Sequence, residues 1–167
     1  EIFLLIWRNP AGSLAVYGSL IIHLLLAVWA LYQRRSLHIS VGELIQLCLG
    51  FAIPFLLALH VVGTRGAHQL FGTEDTYAFV LLAQWKFTEN GVLIQTAALF
   101  ATWIHGCIGL YFWLRLKPWF SKSSPILFSI ALLLPITAWL GYYAGAKEVM
   151  GLYEDPVWRQ EFHRMVF

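Results

Sequence analysis

The 167-residue chain is 59% hydrophobic and 12% charged. A soluble domain carries roughly 25% charged residues, so the composition excludes an ordinary water-soluble fold. The formal net charge of +2 is too small to suggest a nucleic-acid partner. Cys48 and Cys107 fall inside apolar segments and form no CxxC pair, which argues against disulfide or zinc chemistry and for small packing residues.

Four segments meet the roughly 17–25-residue requirement of a spanning helix: about 13–33, 44–64, 92–114 and 125–146. The first is followed by a basic connection, 34–43, holding Arg34, Arg35 and His38 against one acid, Glu43. The second span contains Pro54, with Gly50 one turn before it, so a kink is expected there. A GTRGA turn then opens the longest loop, 65–90, in which YAFVLLAQW is long enough for a short interfacial or re-entrant helix but too short to span. After the third span, the connection 115–124 carries Arg115, Lys117 and Lys122 with no acid. The fourth span contains Pro135, and residues 147–167 read as an amphipathic tail leading to a further span.

The predicted fold is an all-α, polytopic transmembrane helix bundle. It forms one domain over residues 1–167, with four spans here, and reads as part of a longer polypeptide without a recognisable signal peptide. The positive-inside rule places loops 34–43 and 115–124 in the cytoplasm. Loop 65–90 and the tail, where acids and bases are mixed, then face the other side. Trp29, Tyr32, Trp113, Trp119 and Phe120 gather towards the basic side as interface anchors.

Three histidines lie inside the apolar spans: His23, His60 and His105. An ionisable ring in hydrocarbon is costly unless something in the bundle binds it, so each marks a candidate site. Neutral imidazole is a common metal ligand and an axial ligand of haem iron. The rise of about 1.5 Å per residue puts His23 and His105 near the membrane middle, at depths where they can face one another. His60 is a few residues from the outer end of its span and belongs to a second, outer site. Gly18, Gly63, Gly106 and Gly109 lie near these histidines and suit a flat macrocycle, although small residues also serve close helix packing. The alternative for each histidine is a hydrogen bond to a neighbouring helix.

His68 and His163 are weaker candidates. His68 stands at the outer rim, where water satisfies it, and His163 falls in the amphipathic tail. Arg65 and His68 are three residues apart beside a loop with aromatics, which suits the oxygens of a quinone head group. The competing role for Arg65 is an interfacial anchor.

The strings ELIQLCLGFAIPFLLALHVVGTRGAH (43–68), WIHGCIGLYFWLRLKPWF (103–120) and LLLPITAWLGYYAG (132–145) resemble the membrane anchor of bacterial class III adenylate/guanylate cyclases. That anchor is itself similar to the cytochrome b subunit of succinate dehydrogenase. The resemblance covers nearly the whole chain and implies a six-helix anchor in the bacterial inner membrane. It also implies one or two b-type haems and a redox sensor that responds to the quinone/quinol pool and regulates a cyclase domain in the same polypeptide. Carried over, His23, His60 and His105 become axial ligands, with His23 paired to His105. The fourth span has no histidine, so the partner of His60 is His163, His68 or a residue beyond Phe167. A homodimer follows from the same resemblance, since cyclase sites of that class form between two chains.

No nucleotide-binding or metal-carboxylate cyclase motif occurs, so no catalytic residue is assigned and the chain reads as a regulatory membrane part. The alternative function is a cytochrome b subunit passing electrons between an iron–sulfur partner and quinone. A haem-free anchor in contact with lipid alone is the third possibility.

Overall fold

The computed structural model describes residues 5, 8–36 and 38–166, with the side chain of Met165 excepted. Both ends of the expected 1–167 domain, and residue 37 of the first basic loop, lie outside the described residues. Within them every regular element is helical. The chain divides into two compact units, Glu1–Ser40 and Val41–Phe167.

The first unit contains α1, Pro10–Tyr32. It starts where Asn9 accepts a hydrogen bond from the Gly12 N–H at 2.8 Å and Pro10 supplies a pre-set φ at the first turn. His23 lies near its middle.

In the second unit, α2 runs Val41–Val61, with Glu43 in its first turn complementing the positive helix end. The GTRGA segment is not the turn expected from its glycines. A π-helical turn, Val62–Gly66, carries the helix on into α3, Ala67–Phe71, which ends at Gly72 in the left-handed region (φ 69°). Glycine inside a helix costs only about 0.5–1 kcal/mol, so the two glycines do not by themselves end it. Thr76 then caps α4, Tyr77–Leu82, by accepting from the Phe79 N–H. A second π turn, Ala83–Phe87, leads through Asn90 (φ 58°) into α5, Gly91–Leu114. Gly91 is required by a close approach: a Cβ there would stand 2.5 Å from the Gln84 carbonyl oxygen.

The last long helix, α6, covers Phe120–Tyr153 and exceeds the expected 125–146 at both ends. Pro125, the first residue of the expected span, lies inside this helix and brings no N–H to it. The Ser124 hydroxyl instead donates to the Ser121 carbonyl at 3.2 Å, the acceptor that Pro125 would leave without its partner. At the other end the helix runs through 147–153, and only α7, Pro156–Val166, remains of the amphipathic tail.

Four helices, Pro10–Tyr32, Val41–Phe71, Gly91–Leu114 and Phe120–Tyr153, are long and apolar enough to cross a membrane, which suggests a multi-pass membrane protein. They bury little within the structure, as lipid-facing helices do. The buried core of the second unit sits at one end. Leu82 of α4 meets Tyr153 of α6 and Phe162 and Val166 of α7. Trp158, Phe162 and Val166 recur every four residues, which makes one apolar face of α7. An exposed pair, Lys86–Glu154 at 3.4 Å, lies at the rim, with the Lys86 ammonium 4.7 Å from the Tyr153 ring centre.

Between the spans, α2 packs mainly on α5. The α5–α6 contact is fixed by Trp103, whose indole N–H donates to the Ala131 carbonyl at 2.7 Å. Ala131 is four residues before Pro135, so this carbonyl has no helical N–H partner. A neighbouring helix thus satisfies a group that hydrocarbon cannot. Trp103→Phe is expected to destabilise the protein by about 1–3 kcal/mol, the cost of an unsatisfied buried acceptor. Adding Pro135→Ala should recover part of that loss by restoring the helical N–H. Thermal melting of the four proteins of this cycle in detergent checks it; strictly additive effects would show that the two residues do not share the carbonyl.

Candidate functional site

His105 projects from the middle of α5 onto α2. Its Nδ1 lies 3.1 Å from the Gln46 backbone carbonyl. A carbonyl only accepts, so Nδ1 carries the proton and the ring's other nitrogen, Nε2, holds the lone pair. One turn along α2, Gly50 makes the seat: a Cβ there would stand 2.9 Å from His105 Cε1. Gly109, one turn after His105, lies against the Gln46 side chain, where a Cβ would meet its Nε2 at 3.2 Å. Gly50 and one backbone carbonyl therefore fix the position and tautomer of this ring. Such a bond from Nδ1 to a backbone acceptor orients ligating histidines and raises the basicity of Nε2.

His60 is elsewhere. It is ten residues beyond Gly50 on α2, or about 15 Å along the axis. There it lines a cleft of about 80 Å³. Leu56, Leu59, Gly63 and Thr64 form one wall, Phe79, Val80, Ala83 and Gln84 a second, and Thr88, Gly91, Ile94 and Gln95 the third. His60 Nδ1 is buried and has no hydrogen-bond partner among the described residues. Across the cleft, Tyr142 donates to Gln84 Oε1 at 2.8 Å, and Gln84 Nε2 donates to Gln95 Oε1 at 3.1 Å. This chain ties α6, the second π turn and α5 together.

The remaining sequence candidates are distributed along the fold. His23 and Gly18 belong to α1, and within that unit no atom approaches the place of a Gly18 Cβ. Gly63 lines the His60 cleft, and Gly106 follows His105; a Cβ on either would meet no described atom within 4 Å. These glycines leave open space and do not serve helix contact in the second unit. Arg65 lies partly buried in the first π turn. His68 Nδ1 donates to the Thr73 carbonyl at 3.0 Å and so pins the end of α3 to the loop. His163 Nε2 shares a hydrogen bond with the Tyr153 hydroxyl at 3.1 Å, on the α6–α7 contact. Among the described residues no three or more His, Cys, Asp or Glu side chains converge as a metal cage. Axial haem ligation asks for only two imidazoles.

Sequence reasoning centred on histidine and missed Gln46, Gly50, Gln84, Gln95 and Tyr142. The available signal was the same one, a polar group in an apolar run, and the amides of Gln46 and Gln95 carry it.

No family model, no curated protein and no solved structure matches the chain. The functional reading therefore stands on the residues themselves.

The two glycines against Gln46 and His105 differ in what they can tolerate. Gly50→Ala forces a methyl onto a ring held by its own hydrogen bond, and a loss of about 1–3 kcal/mol is expected. Gly109→Ala meets only the flexible end of an amide and should be nearly neutral. Gly106→Ala, facing open space in a helix, should be neutral or gain a few tenths of a kcal/mol up to about 1. Melting temperatures of the three variants check the order; equal losses at Gly50 and Gly109 would contradict the seat assigned to Gly50.

Proposed function

We propose that this chain is a haem-b-binding membrane module that serves as the redox-sensing anchor of a nucleotide cyclase. The observation that carries the haem is His105, a mid-span imidazole whose Nδ1 meets a backbone carbonyl, the arrangement that orients ligating histidines. The residues present fit such a role. Gln46 fixes the ring, Gly50 and Gly109 let it lie close against α2, and Gly106 leaves space beside it. His23 is the second ligand on the depth matching of the two spans in the sequence. When bound, haem b supplies a one-electron iron couple whose potential depends on its axial ligands and burial.

The protein's own contribution is to hold the imidazole at one angle in one tautomer. Lipid-facing helices around it exclude water, which makes any charge change at the site strongly felt by its surroundings. The cyclase and its redox control rest on the resemblance of 43–68, 103–120 and 132–145 to bacterial cyclase anchors. So do the bacterial inner membrane and the homodimer, whereas the cytoplasmic placement of the basic loops follows from the positive-inside rule.

His60, ten residues further along α2 and lining a cleft of about 80 Å³, is the candidate axial ligand of a second, outer haem in this reading.

Haem content decides the proposal. Wild type, His105→Ala and His23→Ala are to be expressed with added haem precursor, purified in detergent and assayed for haem b per polypeptide. Wild type should hold haem, and each variant should lose it while still inserting in the membrane. Wild-type haem content in His105→Ala would overturn the assignment.

A further inference from the structure

The hairpin between α5 and α6 carries charge that the protein itself does not answer. Arg115, Lys117 and Lys122 are all exposed, and the stretch 111–124 around them holds no acid. None of the three forms an ion pair among the described residues, Glu43 in the first turn of α2 included. Yet that end of α2 is near, since a Cβ on Gly42 would stand 3.5 Å from the Phe112 ring. The other end of the unit differs: there Lys86 pairs with Glu154 at 3.4 Å, and Glu148, Asp155 and Glu161 share the same stretch of chain. Lys122 stands where a cation is least at home. It is in the first turn of α6, a positive helix end with no acidic residue and no side-chain cap.

The backbone holds these charges on a tight turn. The Lys117 N–H donates to the Leu114 carbonyl at 2.8 Å, and the Phe120 N–H to the Lys117 carbonyl at 3.1 Å. The rings of Tyr111 and Phe120 meet edge to face at 5.9 Å and join the end of α5 to the start of α6. The Arg115 guanidinium lies 5.2 Å from the Phe112 ring centre, and the Lys117 ammonium 5.6 Å from that of Trp113. Such contacts steer a long side chain without neutralising its charge. Among the cations stand exposed apolar groups, Trp113, Leu116 and Trp119, with Leu116 at 76%. Cations and indoles on one surface suit the boundary between head groups and acyl chains.

The partner that matches this surface carries a phosphate and hydrocarbon in one molecule. Guanidinium and ammonium groups donate to phosphate oxygens in strong charge-assisted bonds. With no carboxylate on the hairpin, nothing there receives the ammonium of a zwitterionic head group, so charge favours an anionic lipid. We infer that the α5–α6 hairpin binds the phosphate head group of an anionic phospholipid through Arg115, Lys117 and Lys122, with Trp113, Leu116 and Trp119 against its chains. The site shares no residue with the proposed haem site and does not depend on it.

The test uses the full chain, delipidated in detergent and titrated with dioleoylphosphatidylglycerol or dioleoylphosphatidylcholine, the adducts being counted by native mass spectrometry. The two lipids have the same chains and differ in head-group charge. Phosphatidylglycerol should bind about tenfold more tightly than phosphatidylcholine, the work of two or three cations at an anionic head group. Arg115→Gln, Lys117→Gln and Lys122→Gln should each weaken phosphatidylglycerol about threefold to fivefold, with phosphatidylcholine unchanged. Lys147→Gln with Arg159→Gln removes two cations from the other end and should leave both lipids bound as in wild type. Glycerophosphoglycerol, the head group without chains, should not displace the lipid at millimolar concentration. Equal binding of the two lipids by wild type, wild-type selectivity in Arg115→Gln/Lys117→Gln, or an equal loss in the distant pair would each overturn the inference. Displacement by glycerophosphoglycerol would do so too, since the surface would then bind free phosphate esters and not a lipid.

Discussion

A polar group placed in hydrocarbon has no water to fall back on, and the second unit is organised around that constraint. His105 donates to the Gln46 carbonyl, Trp103 to the carbonyl that Pro135 strands at Ala131, and Trp139 to the Thr96 hydroxyl at 3.1 Å. Gln84, Gln95 and Tyr142 satisfy one another. Each bond joins two different elements, so the polar groups set which helices meet and at what height. Apolar side chains alone would not fix this, since lipid tails are as good a partner as another helix. Against that background Gln46 Oε1, His60 Nδ1 and Trp85 Nε1 are the buried side-chain atoms that, among the described residues, have no hydrogen-bond partner.

The bundle has two different ends. Along the spans, contact is made by small residues and a few hydrogen bonds. At the end where α4, the extension of α6 and α7 come together, a compact apolar core forms around Leu82, Tyr153, Phe162 and Val166. The second π turn connects them: Gln84 belongs to the polar chain, its carbonyl crowds Gly91, and Trp85 has its ring centre 5.5 Å from that of Tyr142 and 5.7 Å from that of Tyr143. The two histidines of this unit divide in the same way. His105 occupies the seat formed on α2 in the middle of the spans, and His60 faces the cap.

Four apolar runs, and three histidines expected at two heights, were legible from composition and the rise of a helix. The bounds were less so, for local reasons. Gly63 and Gly66 looked like a turn because the sequence does not show that a π turn can absorb them. Pro125 looked like a start because the rescue of the Ser121 carbonyl by Ser124 depends on a side-chain rotamer. Gly50 looked like a weakening of α2 beside Pro54. Only the three-dimensional partner, a ring 59 residues away from Gln46, reveals it as a seat. The same holds for the cleft, whose walls come from three stretches of chain brought together by the loop 72–90.

The central claim is that an imidazole fixed in this way binds haem iron in the middle of the membrane with a second imidazole opposite. Low-temperature electron paramagnetic resonance of the oxidised, purified chain, expressed with excess haem precursor, tests it most directly. The expected spectrum is that of low-spin ferric haem with two nitrogen ligands. A chain that takes up no haem, or one whose iron is high-spin with an open axial position, would contradict the account.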